Sequence, residues 1–300
     1  MKKYLQYIKK ILPVVMIMST LAAAIALAAP YKAKVITPKA EGSKVEKNSE
    51  MIIDYSNASS GYVMVKYLSD TDKKLKTQVQ SPKGVTYTYN LKVKEWAALP
   101  FSEGNGAYKV TVYKNISGTS YATVGSATVN VELSDSMLPF LTASQYVNYT
   151  TATKCVKQAE KICKKKKDEL EKVKAVYDWT LKKFQYSTLK AKTVESGYLP
   201  ELDKVYDSKK AICFDYAATM TAMLRSQGIP TKLVIGYSGS AYHAWIDVYT
   251  EKSGWITGVI YFDGKKWSLM DPTYADTAKS DEKVKEYVGN AGNYRVKYVY

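Results

Sequence analysis

Histidine is all but missing from this chain: among 300 residues it occurs once, at His243. Any step that needs an imidazole near neutral pH falls to that position. A site built from several histidines is excluded. Cysteine is scarce too, at Cys155, Cys163 and Cys213, and none has the spacing of a metal-ligand cluster. No calcium-loop pattern occurs, so no metal or other cofactor is expected. Arginine appears only at Arg225 and Arg295, although lysine and arginine together number 44. Readers of nucleic acid need arginine forks for bidentate base contacts, so no nucleic-acid partner is expected. The formal charge of +16 is a diffuse lysine excess, suited to solubility and to an anionic cell envelope. Envelope components are therefore a candidate partner.

An odd cysteine count leaves at least one thiol free or intermolecular. Cys155 and Cys163 lie eight apart in a lysine-rich helical stretch. That is about 12 Å along a helix axis, against at most about 7 Å between bridged Cα atoms. Both read as buried or groove-facing residues rather than a mutual disulfide.

Long apolar runs are absent after the first 29 residues. Within those residues Lys2, Lys3, Lys9 and Lys10 precede an apolar stretch that ends in Ala26-Leu27-Ala28. Residues 1–28 are expected to be a signal peptide, and the protein to be secreted or held at the cell surface. The alternative is an uncleaved anchor, since the run approaches the length that spans a bilayer; membrane association is expected only in that case.

The remaining length suggests two domains. Residues 31–135 read as all-β, with short Val-, Tyr-, Ile- and Thr-rich segments at 51–55, 61–68, 84–93, 107–114, 121–124 and 126–133, separated by Gly, Pro and Ser turns. That spacing predicts an immunoglobulin-like sandwich without catalytic clusters. Residues 134–151 read as a boundary. From about residue 152 the period becomes helical, with stripes at Cys155, Ala159, Ile162 and Cys163 and then at Val173, Val176, Tyr177, Thr180, Leu181 and Phe184. Residues 214–227 read as a further helix, stopped at Gly228 and Pro230. Strands are expected at 232–237, 242–249, 255–262 and 266–270, the last two paired across Asp263-Gly264. Residues 150–300 thus form an α+β domain.

Three residues in this second half carry chemistry. Cys213 opens a predicted helix, where unpaired N–H groups and the positive end of the helix dipole favour thiolate and can hold an oxyanion. Alone, such a cysteine is commonly a small buried hydrophobe. His243 lies on a predicted strand, sharing a face with Trp245, Asp247 and Tyr249; it is either a structural histidine or the base a thiol nucleophile needs. Asp271 ends the last strand of the hairpin; it is either a turn cap before Pro272 or the carboxylate that orients the imidazole.

Four blocks stand in order: Ala211-Ile212-Cys213-Phe214-Asp215-Tyr216-Ala217, Arg225-Ser226-Gln227-Gly228-Ile229-Pro230, Tyr242-His243-Ala244-Trp245, and Leu269-Met270-Asp271-Pro272-Thr273. Over residues 173–274 this order resembles the bacterial transglutaminase-like family, whose core is papain-like. The resemblance implies Cys213 as nucleophile, His243 as general base and acid, and Asp271 as orienter. It also implies acyl transfer from a protein or peptide carboxamide through a thioester, more readily hydrolysed than used for crosslinking. The family usually has glycine where Ala211 stands; if that position needs positive φ, alanine is strained there. Tyr186 and Tyr198 are candidates for a second oxyanion donor, and Trp245 and Asp215 for packing or support. The competing class is a non-catalytic surface-binding or adhesion protein with a retired enzyme domain.

Overall fold

The computed structural model describes residues 35–257, 260–262, 267–269 and 294–300. The leader 1–28, the Asp263-Gly264 turn and Asp271 lie outside the described residues.

The first part holds strands β1 (Val45–Lys47), β2 (Met51–Asp54), β3 (Tyr62–Tyr67), β4 (Leu75–Gln80), β5 (Thr86–Leu91), β6 (Trp96–Pro100), β7 (Gly106–Ser117) and β8 (Ser120–Val131). They form two four-stranded antiparallel sheets, ordered β1-β2-β3-β6 and β5-β4-β7-β8. Alternation decides which side is buried. Leu75, Thr77 and Val79 of β4 are buried and the residues between them are not. The register sets Val79 beside both Tyr87 and Val110, and Val110 beside Ala127, so one apolar face runs across the sheet. Buried residues of both sheets join one core.

The second part contains helices α1 (Lys154–Cys163), α2 (Glu169–Lys183), α3 (Thr188–Thr193), α4 (Leu202–Ser208) and α5 (Cys213–Arg225). The two-residue strands β9 (Gln185–Tyr186) and β10 (Lys210–Ala211) pair in parallel. Then follow β11 (Thr231–Ser238), β12 (Ala241–Thr250), β13 (Gly254–Ile256), β14 (Ile260–Phe262), β15 (Trp267–Leu269) and β16 (Tyr294–Val299). Their main sheet is antiparallel, ordered β13-β12-β11-β16. β14 and β15 pair as the expected hairpin, but in a separate two-stranded sheet.

α1 buries Cys155, Ala159 and Cys163 of its expected stripe, with Val156 buried beside them and Ile162 only partly buried. Both cysteines lie on this one continuous helix, and all three thiols of the chain are free. Asp168 caps α2 by accepting from the N–H groups of Leu170 and Glu171. Apart from Asp215 and Arg225, α5 is apolar or small on every side, and it is almost wholly buried. It packs against α1, α2 and α4 on one side and against β11 and β12 on the other. Its end is set by Gly228, whose φ of 77° suits glycine, while the Ile229 N–H reaches back to Leu224 O at 3.1 Å.

Candidate active site

α5 begins at Cys213 because Ile212, in extended conformation, stands at its N-cap. The Ile212 N–H donates to Asp215 Oδ2 at 2.8 Å, closing the first turn on itself. Cys213 is therefore the first helical residue, partly exposed, where backbone N–H groups lack helical partners. The approach to this turn is unstrained. Ala211 lies in β10, where its Cα pairs with that of Tyr186; the left-handed conformation falls instead on Lys209, at φ 59°, closing α4. The alanine where glycine was expected thus costs nothing.

His243 lies on β12, directly across from Gly236 of β11, and is buried. Its ring stacks against Trp245, two residues along the same face, with centroids 6.3 Å apart. Cys213, Tyr216, Ala217 and Met220 of α5 pack against Ala244, Trp245 and Ile246 of β12 around a gap too small for a water molecule. The fold thus brings Cys213 to the strand that carries His243. Asp271 lies outside the described residues. Tyr242, just before His243, is 58% exposed; partial desolvation of its hydroxyl end and, less, the nearby Tyr146, Tyr298, Tyr237 and Cys213 raise its hydroxyl above the ordinary value.

The other two thiols are buried, where Cys213 is only partly so. Burial pushes Cys155 up to about 12 and Cys163 up to about 11, so both stay protonated and unreactive near neutral pH.

A polar cluster supports the helix start. Asp215 is fully buried. Its Oδ1 accepts from the Tyr198 hydroxyl at 2.6 Å, and its Oδ2 accepts from Lys190 Nζ at 2.6 Å as well as from Ile212. The hydrogen of Tyr198 is thereby committed to a carboxylate rather than turned toward an oxyanion. Tyr186 sits on β9 alongside the residues leading into Cys213. Lys190 had no signal in the sequence: it is one lysine of many, on an exposed helix of six residues. Among the described residues no group of His, Cys, Asp or Glu side chains has the arrangement of a metal site.

A model of the Transglutaminase-like superfamily matches residues 156–258. The chain is 30% identical over 112 residues to the uncharacterized protein YebA of Bacillus subtilis, a match covering 29% of this chain and 14% of that one. It is 28% identical over 86 residues to a protein-glutamine gamma-glutamyltransferase of Pseudomonas aeruginosa, covering 24% of this chain and 11% of that one. The chain thus spans only a small fraction of either relative. Among solved structures, the periplasmic domain of TgpA from Pseudomonas aeruginosa aligns over 81% of this chain and 78% of that one, with 14% identity and a TM-score of 0.37.

Proposed function

We propose that this chain, whose residues 156–258 match the Transglutaminase-like superfamily, is an exported cysteine acyl-transfer enzyme acting on protein or peptide carboxamides. In this reading Cys213 is the nucleophile, His243 its base and later acid, and Asp271 the carboxylate that orients His243. The carrying observation is that Cys213 opens α5 and packs close to Ala244 and Trp245, the near neighbours of His243. Thiolate catalysis needs an electropositive seat, which a helix N-terminus offers, and an adjacent base, the role this reading gives to His243 on the strand that α5 packs against.

The thiolate Sγ attacks the carbonyl carbon and forms a C–S bond, and the oxygen takes the negative charge toward the N–H groups of the first turn. The C–N bond then breaks, and the amine leaves with a proton from the imidazolium. Water, deprotonated by His243, resolves the thioester to a carboxylate and regenerates the thiol. Water needs no second binding site, and this favours hydrolysis. A second reading, in which a protein amine takes the acyl group, is favoured by the sequence likeness to a protein-glutamine gamma-glutamyltransferase. The β-rich residues 31–135 are proposed to be an immunoglobulin-like module ahead of the catalytic domain, and residues 1–28 a signal peptide.

The test is the rate of iodoacetamide alkylation at Cys213 between pH 5 and 9, in the wild type and in His243→Ala. The buried Cys155 and Cys163 supply an unreactive background. Rapid labelling well below the ordinary cysteine value of about 8.5, lost in the variant, is the expected result. An ordinary thiol profile that the variant leaves unchanged would return the chain to a binding role.

A further inference from the structure

Two demands conflict at the start of α5. A carboxylate in the first turn suits the helix dipole and supplies acceptors for backbone N–H groups. Asp215 does this by taking the Ile212 N–H. It also puts a negative charge two residues from Cys213, where the proposed chemistry needs a second negative charge, the thiolate. Asp215 has no exposure to water, so solvent does little to screen it.

Its three donors are not equivalent. The Ile212 N–H and the Tyr198 hydroxyl are neutral; they satisfy the oxygens without cancelling the charge. Lys190 is, among the described residues, the cation paired with Asp215, at 2.6 Å and with its own side chain 28% exposed. It also donates to the Tyr198 hydroxyl at 2.7 Å and lies over the Tyr198 ring. No residue of α3 is buried, so the polar cluster explains what apolar packing does not: why α3 sits against the helix start. Ser187 holds the lysine's backbone in place, accepting from the Lys190 N–H, while its own N–H donates to Ala211 O at 2.9 Å.

We propose that Lys190 is a positioning residue for the nucleophile: its ammonium neutralises Asp215, so that the carboxylate closing the first turn of α5 does not oppose the thiolate of Cys213. The proposal rests on Cys213 being the nucleophile. Other titratable groups near this turn are Tyr198, which donates to Asp215, Tyr242, on whose hydroxyl Cys213 acts, and Glu201, which acts on Tyr198.

Electrostatics gives the test a sign that loosened packing does not share. Iodoacetamide alkylation of Cys213 in the full chain is followed from pH 5 to 9 by peptide mass spectrometry. Lys190→Met leaves Asp215 unneutralised and should shift the labelling midpoint up by about one pH unit, roughly tenfold slower labelling at pH 6. Asp215→Asn keeps an acceptor for Ile212 but leaves Lys190 unopposed, and should shift the midpoint down. The double variant should return toward the wild type, and Lys190→Arg should keep most of the low-pH labelling. If Lys190→Met misfolds by far-UV circular dichroism, Lys190→Gln carries the test in its place. Equal profiles for Lys190→Met and the wild type overturn the proposal while fast low-pH labelling in the wild type preserves the enzyme reading. Shifts in the same direction for Lys190→Met and Asp215→Asn also overturn it, since only altered packing does that. A wild type that labels as an ordinary thiol overturns both readings together.

Discussion

In a chain so rich in lysine, Arg225 earns its place by geometry. Its guanidinium is fully buried and donates to three backbone carbonyls: Nε to Thr231 O at 2.9 Å, Nη1 to Thr142 O at 2.7 Å and Nη2 to Tyr300 O at 2.8 Å. A lysine ammonium is a single point on a flexible stem, whereas the planar fork reaches three directions at once. The three carbonyls come from the segment before α1, the start of β11 and the residue after β16. Burial depresses the guanidinium to about 10, still fully charged at neutral pH. Arg225→Met should cost about 3–5 kcal/mol, because three buried carbonyls lose their donor; a urea midpoint measures it. Arg225→Lys should recover only part. A loss below about 1 kcal/mol would mean that water replaces the donor. The sequence marks Arg225 only as the start of a motif block; the carbonyls it binds lie up to 83 residues away, beyond the reach of any local pattern.

At the level of elements, periodicity read well where apolar and small residues dominate an element and poorly where polar residues or proline interrupt it. α5 was legible, ending within two residues of its expected span, because its small and apolar residues recur and Gly228 stops it. β11 and β12 were legible for the same reason. β4 and β6 were not. β4 buries a threonine and alternates with lysine and glutamine, while β6 ends in a proline. β16 was missed as well. It is an edge strand with Arg295, Val296 and Lys297 exposed, and it owes its existence to pairing with β11. That pairing depends on Gly236. A Cβ there would overlap the carbonyl oxygen of Arg295 and come within 2.8 Å of Trp245 Cη2. Gly236 also lies opposite His243. Gly236→Ala should therefore push β16 away and disturb the Trp245 ring that stacks on His243, costing about 1–3 kcal/mol by overpacking. Hydrogen exchange at the β16 amides should rise in the variant while that of α1 holds. Unchanged protection at β16 would contradict this account.

Across the whole molecule an aromatic seam ties the β-rich part to the candidate site. Tyr87 and Tyr89 of β5 meet Tyr300 edge-on, Tyr300 stacks on Tyr146 with centroids 4.0 Å apart, and Tyr146 contacts Phe214, the residue after Cys213. The tyrosine count of 27 was visible in the sequence, but not this seam, whose rings come from segments far apart in the chain. So much buried phenol and thiol has a consequence at high pH. Burial raises Tyr87, Tyr89, Tyr108, Tyr149 and Tyr300 above the ordinary 10.0, and Cys155 and Cys163 to about 12 and about 11. Each group stays neutral in the fold at a pH where the unfolded chain has already released its proton. Its contribution is therefore whole below the unfolded value and is lost as pH rises toward the folded one, at up to about 1.4 kcal/mol per pH unit for each group. The urea midpoint should hold to about pH 9 and then fall, first through the thiols and then, above 10, more steeply through the tyrosines. Cys155→Ala/Cys163→Ala should delay the onset toward pH 10, whatever constant offset the lost packing imposes. A midpoint level from pH 8 to 11 would mean that the seam admits water and that its hydroxyls ionise in place, which the close stacking of Tyr146 on Tyr300 argues against.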